Sequence, residues 1–130
     1  MSDCRFEESL PAAPESVPRL RHAVTTFATM AGASDGLRFK VALAVSEACT
    51  NAVIHAYRRA GVPGEVAVTA ERRNGALWVE VSDRGEGMRP RVDSPGLGLG
   101  TPLMATLADH LEICDNPGGR GTVVRLEFGL

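Results

Sequence analysis

Apolar residues in the stretch 41–57, VALAVSEACTNAVIHAY, recur through Val41, Val45, Ala48 and Ala52 at the 4-3-4 spacing of a helical core stripe. A neighbouring face of the same helix carries Glu47, Asn51 and His55 at intervals of four, which stack along one line. This helix is expected to bury one side and to present a carboxylate, an amide and an imidazole from the other. A carboxylate accepts a proton, an amide oxygen ligates a hard cation, and an imidazole serves several roles. For this stretch alone, a merely solvated polar face is the plain alternative.

The rest of the chain alternates between the two periods. Residues 5–10 are short and partly alternating, and read as a first strand ended by Pro11–Pro14. From 15 to 31 the set Val17, Leu20, Val24, Phe27 and Met30 follows helical spacing, with Gly32 as the stop and Arg19, Arg21 and His22 at the surface. Ser34 or Asp35 can cap the second helix, expected from about 36 to 60 and closed by Arg58, Arg59 and Gly61. Alternation then marks strands over 65–72 and 77–82, joined at Asn74-Gly75 by a tight hairpin turn. After a segment rich in glycine and proline, Leu99, Leu103, Met104 and Leu107 share the face of a third helix over 98–108. Strands at 111–114 and 122–128 flank the turn Asn116-Pro117-Gly118-Gly119. Helices and strands in this order predict an α+β fold: a two-layer sandwich, its mixed but mostly antiparallel sheet covered by helices on one face.

At 130 residues the chain has the size of one domain that buries its own core. A net charge of −2 gives no general attraction to nucleic acid or an anionic membrane, and no apolar run reaches membrane-spanning length. Cys4, Cys49 and Cys114 lack CxxC spacing, which fits free thiols in a reducing compartment. The first residues show no signal pattern, so a cytoplasmic location is expected.

Two glycine-rich loops bring in the chemistry. Asp83-Arg84-Gly85-Glu86-Gly87 places a carboxylate where a strand ends, followed by glycines that let backbone pass close to a flat ligand. Such an Asp can accept a hydrogen bond from an exocyclic amine. Gly96, Gly98 and Gly100 alternate immediately before a helix and aim free N–H groups and its positive end at one small volume, the usual setting for phosphate. For either loop alone, a bend that requires glycine is the competing account. There is no GxxxxGK[ST], no third glycine of GxGxxG, no GxSxG elbow and no HExxH helix.

Taken in order, these segments resemble the GHKL ATPase superfamily, the Bergerat fold, and within it the small anti-sigma factor serine kinases of bacteria. ExxxN at Glu47 and Asn51 resembles the N box, DRGEG at 83–87 and GLGLG at 96–100 the two glycine boxes, and GGRGT at 118–122 the last box. The resemblance implies ATP and Mg²⁺ as the bound groups. Asn51 would ligate Mg²⁺ and Glu47 would be the general base for the attacking hydroxyl. Asp83, supported by Thr122, would take the adenine amine. Gly85 and Gly87 would form the base pocket, and Gly96, Gly98 and Gly100 would line the phosphates. Arg21 on the first helix looks like the arginine used against protein partners, which would be a sigma factor and a STAS-type anti-anti-sigma protein; a homodimer is a further implication. His55 is expected to give support within the helix rather than catalysis.

The chain departs from the kinase pattern between the glycine boxes, where only MRPRVDSP, residues 88–95, stands in place of a longer lid. Lids exclude water, so a short one favours nucleotide binding over phosphoryl transfer. Arg89 and Arg91 could contact phosphates or remain solvated. Two functions are therefore carried forward: an ATP-dependent serine/threonine kinase that also sequesters a sigma factor, and a nucleotide-dependent partner-switching module without efficient transfer. A nucleotide-free structural domain is the third reading.

Overall fold

The computed structural model describes residues 4–56, 64–83, 97–116 and 121–130, with the backbone alone for 55, 56 and 97–101. Alternating side chains build β1 (Arg5–Pro11), β2 (Glu65–Arg73), β3 (Ala76–Asp83), β4 (His110–Asp115) and β5 (Thr122–Gly129). They form one sheet in the order β1-β2-β3-β5-β4, antiparallel at each described pairing. The β2–β3 turn is the expected one: Arg73 pairs with Ala76, and the two residues between them, Asn74 and Gly75, have φ of 53° and 72°. Left-handed conformation at both central positions suits Asn-Gly and matches the twist of the flanking strands.

One face of the sheet is the core. Val66, Val68 and Ala70 of β2, Leu77, Val79 and Val81 of β3, and Val124, Leu126 and Phe128 of β5 are all buried. Period-two alternation sends the residues between them to the other face, which is charged. There Arg125 of β5 donates from Nε to Glu80 at 2.8 Å and from Nη1 to Glu112 at 3.2 Å. The hydrogen bond and charge of Glu80 hold the guanidinium pKa above its ordinary value. Close by, the Arg73 guanidinium lies over the Trp78 ring, 4.7 Å from its centroid.

Helices cover the apolar face. α1 (Ser16–Met30) ends at Gly32, whose φ of 101° lets Gly32 N–H donate to Thr29 and Ala33 N–H donate to Ala28. Leu20, Val24 and Phe27 are buried as expected, but Met30 is 75% exposed, because Ala28 and Ala31 continue the stripe in its place. Phe6 of β1 packs on Phe27, with ring centroids 6.0 Å apart, and fixes α1 over the edge of the sheet. α2 (Asp35–Asn51) begins at Ser34, whose Oγ accepts the Leu37 N–H; Asp35 lies in the first turn and pairs with Arg38. Val41, Ala44, Val45, Ala48, Cys49 and Ala52 are buried beneath it. α3 (Leu97–Leu107) packs on α2 and buries Met104, while Leu103, expected on the same face, is 37% exposed.

The second helix departs from expectation at its end. The α-helical pattern stops at Asn51 and continues as a π-helical segment, Ala52–Ala56, rather than as an α-helix to residue 60. A π turn takes one more residue than an α turn, so the four-residue step from Asn51 to His55 no longer completes a full turn. Residues 57–60, with Arg58 and Arg59, lie outside the described residues.

Burial of Cys49 raises its thiol pKa from 9.0 to about 12. The unfolded chain then ionises this thiol first, so stability is full below pH 9 and falls as pH rises above it. Urea titrations at pH 8 and 10.5 should show the parent losing about 2 kcal/mol more than Cys49→Ala over this range. Parallel losses in the two proteins would show that the thiol is not desolvated.

Candidate functional site

Sheet register assembles the first part of the site. Ser82 of β3 pairs with Val123 of β5, so the next residues outward, Asp83 and Thr122, stand opposite each other at one end of the sheet. Both are in phase with the core rows, since Asp83 follows Leu77, Val79 and Val81, and Thr122 precedes Val124, Leu126 and Phe128, at steps of two. They are 5% and 3% exposed. The apolar rows under the helices thus finish in a carboxylate and a hydroxyl on the helix side. A buried pair of this kind is suited to the polar edge of a flat, otherwise apolar ligand.

A residue given no role by the sequence reading supports this end of the sheet. Asn116, just beyond β4, donates from Nδ2 to the Asp83 carbonyl at 3.0 Å, and its N–H donates to the Gly121 carbonyl at 3.0 Å. Gly121 takes φ of 93°, a conformation open to glycine. The β4–β5 connection is thereby tied to the end of β3. Asn before Pro signals a turn, but its reach to another strand depends on a sheet order that no local pattern contains.

α2 supplies the second part. It packs across β3 and β5, the strands that carry Asp83 and Thr122, and the π-helical segment packs on β3. Asn51 is 6% exposed. Glu47, one α turn earlier, is half-buried and stands between the buried and the solvated faces. The polar line expected along this helix is therefore graded: Asn51 lies deep and Glu47 at the margin. No group of three His, Cys, Asp or Glu side chains that could hold a metal occurs among the described residues. Asn51 offers one amide oxygen, a donor type that hard cations accept.

α3 starts at Leu97, so Gly98 and Gly100 lie within its first turn rather than ahead of it. The Gly98 N–H, at the second helical position, is one of those that an α-helix leaves without an internal partner, so it remains available to an anion, whereas the Gly100 N–H is in phase with the first internal bond. Gly85, Gly87 and Gly96, with Arg89 and Arg91, lie outside the described residues. Arg21, expected free at the surface, is half-buried and donates from Nη1 to Ser46 Oγ of α2 at 3.2 Å. One donor of its guanidinium thus ties α1 to the helix that carries Glu47.

Comparison with known proteins gives the family. Residues 10–128 match the family described as the histidine kinase-like ATPase domain. The serine-protein kinase RsbW of Bacillus pumilus is 35% identical over 129 residues, covering 87% of this chain and 80% of the relative. An anti-sigma F factor of Caldanaerobacter subterraneus is 36% identical over 94 residues, covering 64% of each chain. Among solved structures, that of the RsbU and RsbW domains of a Mycobacterium tuberculosis protein superposes with a TM-score of 0.76 at 22% identity, over 98% of this chain and 32% of the other. At that identity the likeness shows the fold alone.

If Asn116 braces the end of β3, Asn116→Ala should lower stability by about 1 kcal/mol, the usual net value of one such hydrogen bond. Chemical denaturation measures it, and an unchanged midpoint would remove Asn116 from the site's support.

Proposed function

Because the chain belongs to the histidine kinase-like ATPase domain family, we propose that it is an ATP- and Mg²⁺-dependent serine/threonine protein kinase. Its substrate is a STAS-type anti-anti-sigma protein, and in an alternate complex it sequesters a sigma factor. The buried pair Asp83 and Thr122, set opposite each other on the helix side of the sheet, is the observation that carries this reading.

Each described residue has a role that its surroundings suit. Asp83 accepts the hydrogen bond of the adenine amine in a place shielded from water, where hydrogen bonds to a charged group contribute about 1.5–3 kcal/mol. Thr122 offers a hydroxyl to the same edge, directly or through water. Asn51 would hold Mg²⁺ through its amide oxygen, and the ion when bound supplies charge that neutralises the phosphates. Gly98 would turn a free backbone N–H toward those phosphates, with Gly96 and Gly100 lining them where a side chain would intrude. Gly85 and Gly87 would admit the base where a Cβ would collide. Glu47, at the margin of the pocket, takes the proton of the attacking serine hydroxyl. Arg21 keeps further N–H donors for a protein partner after serving Ser46.

The eight residues between the glycine boxes, 88–95, favour a second reading. In it the protein binds nucleotide and switches partners by occupancy, with transfer slow or absent because water is poorly excluded.

Calorimetric titration with ATP and Mg²⁺ separates these readings from each other when joined to a transfer assay. Asp83→Asn should abolish ATP binding, whereas Glu47→Ala should retain it and lower transfer by about 10²–10⁴-fold. Unchanged nucleotide affinity in Asp83→Asn would sink the site assignment. ATP binding without transfer in the parent would leave the switching module.

A further inference from the structure

α2 carries apolar side chains that stand exposed among the described residues. Phe39 is 65% exposed, Leu43 37% and Ile54 52%. Positions 39, 43, 47, 50 and 54 follow a 4-4-3-4 spacing and so run along one side of the helix, with half-buried Glu47 and Thr50 between the apolar groups. Val41, Val45, Ala48 and Ala52 occupy the opposite side and are sunk on the sheet. α1 and α3 both pack on α2 and still leave the stripe open. The other broad surface, the outer face of the sheet, is covered by charge at Arg73, Glu80, Glu112 and Arg125. A core-facing helix normally carries polar residues where Phe39 and Leu43 stand, and an aligned apolar stripe marks an interaction surface.

The stripe is continuous with Glu47, and this identifies its occupant. Resting on the kinase reading above, we propose that Phe39 and Leu43 dock the phosphoacceptor protein and thereby set which serine reaches Glu47. At 1.5 Å rise per residue, Leu43 lies about 6 Å and Phe39 about 12 Å along the helix axis from Glu47. An acceptor that places its hydroxyl at Glu47 and lies along the helix covers both residues. Its recognised surface is therefore an apolar patch within about 6–12 Å of the serine. Exposed Lys40 and the Asp35–Arg38 pair form a polar rim beside this apolar centre, the usual composition of a transient protein interface.

The test uses the full chain, the variants Phe39→Ser and Leu43→Ser, and Met30→Ser as a control. Met30 is 75% exposed but stands on α1 rather than on the α2 stripe. A purified STAS-domain protein with one phosphoacceptor serine is titrated as substrate, and ATP affinity is measured separately by calorimetry. In both stripe variants ATP affinity and kcat should match the parent while KM for the acceptor rises about tenfold or more. The control should match the parent throughout. Equal KM values in parent and stripe variants would overturn the docking assignment, as would an equal rise in the control. So would failure of the acceptor to bind the parent, or conversion of dimers to monomers by the stripe variants at unchanged KM, which would give the stripe to a second copy. If the parent binds ATP but transfers no phosphate, the kinase reading fails independently. Calorimetric binding of the same acceptor then decides the docking surface, with a tenfold weaker Kd expected in the stripe variants alone.

Discussion

Burial of one side of α2 on β3 and β5 is the constraint on which the remaining structure depends. Val41, Val45, Ala48 and Ala52 fix the rotation of the helix about its own axis. Once that rotation is set, Asn51 has to lie deep and Glu47 at the margin, one α turn apart. The same helix fixes α1, through Arg21 and Ser46, and α3, which packs along it. Neither neighbour needs a separate anchor in the site. A small change in the packed stripe would turn the amide and the carboxylate together, because close-packed interiors transmit displacement rather than absorb it.

The polar end of the sheet has a different origin. Asp83 and Thr122 occupy positions that the alternation of their strands reserves for core residues, and both are polar. Local sequence rules lose stability there, and such breaks concentrate where a site is built. Asn116 offsets part of the cost by taking the carbonyl at the end of β3, which secures the backbone on which the carboxylate stands.

Much of this was legible in the chain. The hairpin at Asn74-Gly75, the Gly32 stop, the apolar rows of β2 and β3 and the location of Asp83 at a strand end all follow from period and turn chemistry, since each depends on residues close in sequence. The family resemblance is what proposes a joint role for Glu47, Asn51, Asp83 and Thr122. What local patterns could not give depends on tertiary neighbours. Met30 and Leu103 keep helical spacing with core residues, yet the layer beneath is already filled by Ala28, Ala31 and Met104. The π-helical turn after Asn51 breaks a four-residue rhythm that continues unbroken in the sequence through His55. Arg21 has the composition of a surface residue, and Ser46, its partner, is twenty-five positions away.

The strand order has a bearing on how the molecule comes into being. β1, β2 and β3 are neighbours in the sheet, with α1 and α2 lying between the first two in the chain. β5, the last described strand in the chain, pairs with both β3 and β4. Until it does, Asp83 faces no Thr122, and a nascent chain with most of its core formed has no complete ligand wall. Pairing between strands distant in sequence is slow to form. Any molecule that the finished wall holds binds the completed sheet and not its precursor, so it draws the chain through the last step by mass action. Occupancy of the pocket would therefore report on assembly as well as on signal.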